Sequence, residues 1–135
     1  MMALFTRYVA ALVPFFVIDI IWLGRMAPRF YKPVMGDIAL AGFNLLPAIA
    51  FYVLFPIGIV LFAVNPALKS QSFLTAMVNG ALFGLFSYGT YDLTNQATLR
   101  NWTWQLSLMD MAWGTALVAV SATTAFLIAS RLPAV

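Results

Sequence analysis

LFTRYVAALVPFFVIDIIWL, Leu4 to Leu23, is a run of 20 residues interrupted by only two charged side chains, Arg7 and Asp19. A helix rises about 1.5 Å per residue, so such a run matches the roughly 30 Å hydrocarbon core of a bilayer. Its early arginine is reminiscent of a signal peptide. The apolar part is long, however, and no small-residue cleavage site follows, so a retained transmembrane helix is expected. Pro14 inside it predicts a kink.

Three more runs follow the first. Residues 40–64 are apolar and contain Pro47 and Pro56, which membrane helices tolerate when neighbours satisfy the freed carbonyls. Residues 73–92 and 106–130 complete the set, the last closed by Arg131 and Pro133. Between them lie RMAPRFYKPVMGD, NPALKSQ and LTNQATLRNWTWQ, read as polar connections, with Trp102 and Trp104 as interfacial belt residues. The expected fold is an all-α membrane protein: one domain over residues 1–135, a four-helix transmembrane bundle running up-down-up-down with both termini on the same side.

Composition supports this class. Of 135 residues, 64% are hydrophobic and 8% charged, with a mean hydropathy of +0.96. A soluble domain carries about 25% charged residues. Histidine, cysteine and glutamate are absent, and the acids are Asp19, Asp37, Asp92 and Asp110. Thiol nucleophiles, disulfides and a histidine base are therefore excluded, and zinc, haem and iron–sulfur centres lose their usual ligands. No metal and no cofactor is expected. The net charge of +3 is scattered, which argues against nucleic acid and for membrane lipids as the partners of the basic residues. Arg25, Arg29, Lys32 and Arg100 fall on one face, with Arg7, Lys69 and Arg131 on the other. Charge bias therefore sets no absolute orientation.

Span order brings polar residues to one level. Asp19 lies near the end of the first span, Asn44 near the start of the second, Asp92 and Asn95 at the end of the third, and Asp110 near the start of the fourth. In an up-down-up-down bundle these positions share one membrane face, whichever way the protein is inserted. Carboxyls inside a bilayer cost up to about 3 kcal/mol each and are candidates for function. Trp22 and Trp113 each follow an aspartate by three residues, and Tyr88 and Tyr91 stand beside Asp92. Alternatively, the tryptophans are interfacial anchors, Asp19 is a packing carboxyl bonded to Asn44 or Tyr88, and Asp92 and Asp110 end their helices or pair with Arg25, Arg29 or Arg100. Gly80 and Gly84 in GALFG form a small-xxx-small motif suited to close helix contact, within the chain or in a homo-oligomer.

The stretches IDIIWLG, RFY, YDLTNQATLRNW and MDMAWG together resemble domain of unknown function family 2177, predicted bacterial integral membrane proteins, over nearly the whole chain. The resemblance implies four membrane helices and bacterial origin, hence the cytoplasmic membrane. It supplies no activity and no catalytic residue.

Three functions fit these residues. In the first, an acid and aromatic pocket near one face binds or transports a small amphipathic or cationic molecule, or protons, through Asp19, Trp22, Asn44, Tyr88, Tyr91, Asp92, Asn95, Asp110 and Trp113. In the second, Asp92 and Asp110 form the carboxyl pair of an enzyme acting on a lipid or membrane peptide. In the third, the chain is a small scaffold or partner subunit. The first is favoured, the enzyme ranks second and the scaffold third.

Overall fold

A computed structural model describes residues 2–131, so Pro133 lies outside the described residues. It contains four long helical rods. The rod of α1 begins with Met2–Met26 and continues without a break through Ala27–Tyr31, Lys32–Met35 and a 3₁₀ turn at Gly36–Ile38. The rod of α2 begins with Leu45–Ile59 and continues through Val60–Val64 and Asn65–Ser70. Helix α3 is Phe73–Thr98 and helix α4 is Trp104–Ala129. The α1, α2 and α4 rods are long and apolar enough to cross a membrane. Helix α3 is as long as α4, at 26 residues, but more polar. Its hydroxyls bond back into their own helix, Ser87 to the Phe83 carbonyl at 2.6 Å and Thr90 to the Phe86 carbonyl at 2.7 Å. Such local bonds satisfy a polar side chain without water.

The stretch after Met26, expected as a loop, is helix. Pro28 and Pro33 remove backbone donors, and the chain answers with one wide turn over Ala27–Tyr31, where the Lys32 N–H reaches back five residues to the Ala27 carbonyl. The α2 rod repeats the device. Its wide turn Val60–Val64 ends two residues before Pro66, and the Asn65 N–H bonds to the Val60 carbonyl. Pro66 cannot donate to the carbonyl of Phe62 four residues earlier, and Asn79 of α3 supplies a donor there at 3.2 Å. The second rod starts at Leu45 rather than Leu40, because Asn44 caps it by accepting the Leu46 N–H at 3.2 Å. Ser72 and Thr103 cap α3 and α4 in the same way.

The pattern of burial is that of a protein dissolved in lipid. Leu4, Phe5, Val13, Phe16, Val17, Ile20 and Ile21 of α1 face outward, while Ala10, Ala11, Phe15 and Asp19 face the bundle. Within the membrane no hydrophobic effect draws leucine inward, so small residues and polar side chains occupy the interface between helices. The tightest contact is between α3 and α4. A Cβ added at Gly84 would strike the backbone of Gly114, and one at Gly114 would strike the Tyr88 ring. Gly80 lies equally close to the Val118 carbonyl and Ala122. The GALFG face is thus filled by α4 of the same chain. On the other side, Phe15 stacks on Phe55 with ring centroids 4.9 Å apart, joining α1 to α2.

Gly84→Ala and Gly114→Ala should each lower stability by about 1–3 kcal/mol, the usual cost of overpacking. Gly24→Ala, where the added carbon meets nothing within 4 Å, should be neutral or stabilising. Unfolding in mixed micelles followed by tryptophan fluorescence tests this, and equal stability of all three variants would contradict the packing described.

Candidate functional site

The two D-x-x-W tetrapeptides meet across the interface of α1 and α4 and exchange partners. Asp19 of α1 accepts the indole N–H of Trp113 from α4 at 3.1 Å. Trp22 of α1 turns the other way, donating its N–H to the Tyr31 hydroxyl at 3.1 Å, and that hydroxyl donates to Asp110 of α4. The two indoles stack on each other, 4.0 Å between centroids and 7° from parallel. Each tryptophan therefore serves the aspartate of the other helix, directly in one case and through Tyr31 in the other. An aromatic stack of this kind contributes about 0.5–1.5 kcal/mol beyond its buried area. Tyr52 of α2 completes the set, its hydroxyl donating to the second oxygen of Asp19 at 2.7 Å.

Asp19 and Asp110 are 4% exposed and Asp92 is 0% exposed. The three acids differ in their partners. Asp19 has a donor on each oxygen and Asp110 has Tyr31. Both carboxyl oxygens of Asp92 are buried with no hydrogen-bond partner among the described residues. Its carboxyl lies beside that of Asp110. Next to it, Trp102, Ser107 and Gln96 form a closed group: the Trp102 indole donates to the Ser107 hydroxyl at 3.0 Å, and the Ser107 hydroxyl donates to the Gln96 amide oxygen at 3.0 Å. Trp102, expected in the interfacial belt, is buried in this group and packs edge-on against Tyr91. Trp104 is exposed, as a belt residue would be.

The remaining candidates divide. Tyr88 packs over Gly114 and meets Phe55 edge-on at 6.3 Å. Asn95 is half-buried one turn beyond Tyr91. Asn44 is exposed and spent on its cap, so it leaves the polar layer. The donors to Asp19 are Tyr52 and Trp113 rather than Asn44 or Tyr88. No described arginine or lysine bonds to an aspartate. Among the described residues, the side-chain hydrogen bonds of the cations are those of Arg7 to Asn65 and of Lys32 to the Ala41 carbonyl. Two members of the site escaped the sequence. Tyr31 sits in RFY between two prolines, and Tyr52 in an unbroken apolar run, so neither carried a periodic signal.

Outside the stacked indoles lies a cleft of about 320 Å³, lined by Ile18, Ile21, Trp22, Arg25, Arg29 and Trp113 among others. None of the aspartates lines this cleft, and both carboxyl oxygens of Asp92 are buried. The described residues hold no cluster of three or more metal-ligating side chains.

The model of a family described as predicted membrane protein, DUF2177, matches residues 4–127. The chain belongs to that family and is an integral membrane protein. No curated protein and no solved structure matches it.

The unequal satisfaction of the acids predicts unequal stability. Asp19→Ala strands the half-buried Tyr52 and Trp113 donors and should cost up to about 1–3 kcal/mol for each donor left unpaired. Asp92→Asn removes a carboxyl with no donor and adds one of its own, and should leave the melting temperature unchanged or higher. Thermal unfolding in detergent decides this, and a larger loss for Asp92→Asn than for Asp19→Ala would refute the assignment of partners.

Proposed function

We propose that this member of the DUF2177 family is a proton-linked binding or transport protein of a bacterial cytoplasmic membrane, with Asp92 and Asp110 as its proton site. The single observation that carries this is the pair of Asp92 oxygens, fully buried and without a donor, beside a second carboxyl. Two like charges this close cannot both be ionised cheaply. One proton converts their repulsion into a hydrogen bond, and it needs no cavity. A larger cation needs several oxygen ligands and room, which a closed pair does not offer.

The groups facing the pair fit this role. Tyr31 and Asp19 come from the α1 rod, Tyr88 and Tyr91 from α3, and no described cation bonds to either carboxyl. A buried acid without a fixed positive partner exchanges its proton rather than locking into an ion pair. The chain Asp110, Tyr31, Trp22 runs from the pair to the cleft, so a change at the pair alters the donors that hold the stack. A small amphipathic ligand would meet the protein at that cleft, and proton occupancy would reach it through Tyr31. The resemblance of the motif stretches to that family supports the bacterial setting.

Infrared difference spectra of the reconstituted protein across a pH titration test the site. A carboxylic C=O band should grow on acidification, vanish in Asp92→Asn and change in Asp110→Asn, while Tyr52→Phe leaves it in place. A titrating band untouched by Asp92→Asn would remove the proposal.

A further inference from the structure

A second cavity runs beside the first. It is a groove of about 600 Å³ along the α1–α4 seam, lined by Val9, Val13, Val17 and Ile18 of α1 and by Thr124 and Ile128 of α4, among others. Ile18 lines both the groove and the cleft at Trp22 and Trp113, so the two are neighbours along one seam. The groove extends along α1 from Ile18 to Phe5, 13 residues or about 20 Å of helix. One leaflet of hydrocarbon is about 15 Å thick.

The ends of this seam differ in chemistry. The groove is almost entirely apolar. The cleft carries two arginines one helical turn apart, Arg25 and Arg29, both exposed, and no acid lines it. Neither arginine makes a side-chain hydrogen bond or ion pair among the described residues, although Arg7 and Lys32 on the same rod do bond. Two guanidinium groups at a membrane edge, with a tryptophan at the same level, match a phosphate headgroup.

We propose that the α1–α4 seam binds one anionic phospholipid, its phosphate on Arg25 and Arg29 over Trp22 and one acyl chain in the groove from Ile18 toward Phe5. Charge complementarity selects the headgroup, and the continuous apolar groove selects a chain. A zwitterionic lipid presents the same phosphate but carries its own cation, which the arginine pair repels. The site does not rest on the carboxyl pair, since no aspartate lines the cleft or the groove. The two proposals share the cleft but not the observations behind them, so loss of the lipid leaves the proton site standing and loss of the proton site leaves the lipid.

Native mass spectrometry of the purified protein, with phosphatidylglycerol or phosphatidylcholine added in mixed micelles, tests this. Wild type should retain one phosphatidylglycerol at least about tenfold more tightly than phosphatidylcholine, a difference of about 1.4 kcal/mol. The double variant Arg25→Gln/Arg29→Gln should lose that preference. Val13→Trp, which fills the groove and keeps both charges, should weaken both lipids. The Arg25→Lys/Arg29→Lys variant should recover part of the preference. Equal retention of the two lipids by wild type, or unchanged retention in the glutamine variant, would overturn the site. Full displacement of the lipid by inorganic phosphate alone would show that the acyl chain adds nothing and would overturn the groove.

Discussion

Everything in this bundle depends on how α1 and α4 hold a carboxyl each inside a bilayer. Water is not available there, so each must be met by donors of the chain itself. The solution is reciprocal. Trp113 serves Asp19, Trp22 serves Asp110 through Tyr31, and the two indoles stack to close the exchange. If the helices slid by one residue, about 1.5 Å, both N–H directions and the stack would be lost together. The clasp therefore sets the register of α1 against α4, and the cost of burying the acids becomes specificity rather than waste.

The clasp dictates what surrounds it. To bring Tyr31 back into the bundle, the rod of α1 has to remain helical past the membrane edge and then turn. The wide turn at Ala27–Tyr31, with Pro28 inside it and Pro33 just after it, keeps it helical without a broken backbone. To leave room for the aromatic rings, α3 has to approach α4 closely, and glycine provides this at Gly80, Gly84 and Gly114. Tyr88 fills the space above Gly114, so the glycine is small because the ring is large. The outer faces carry no such constraint and are built from whatever leucine, isoleucine and phenylalanine the lipid accepts.

Much of this architecture was legible in the sequence. The apolar runs give the helices, and their order gives the single polar level, because both depend only on composition and length. The presence of Asp19, Asp92 and Asp110 in the interior, and the packing role of Gly80 and Gly84, followed from residue type. The partners did not. Asn44 and Tyr52 both lie on α2 or at its start, and only tertiary placement decides that the asparagine caps a helix while the tyrosine reaches Asp19. Tyr31 was hidden because proline and arginine around it look like a loop in any local pattern. The repeated D-x-x-W was visible as two short motifs. That each tryptophan bonds across to the other motif is a property of the α1–α4 interface and of no segment taken alone.

Asp92 stands apart from this logic, and the contrast is informative. The protein finds donors for Asp19 from two helices and for Asp110 from a rod extended for the purpose, yet it leaves Asp92 with none. Donors are not scarce there: the Trp102 indole, the Ser107 hydroxyl and the Gln96 amide lie close by and bond to one another or to backbone instead. An unpaired buried group costs roughly 1–3 kcal/mol, and more when it is charged. A serine or alanine at Asp92 would remove that cost while keeping the helix. Structures tolerate such a local conflict chiefly where it does something. Two acids are held by the fold and help to hold it in return. The third is held by nothing but its neighbour, which is the condition under which a carboxyl can take up and release a proton without the bundle coming apart.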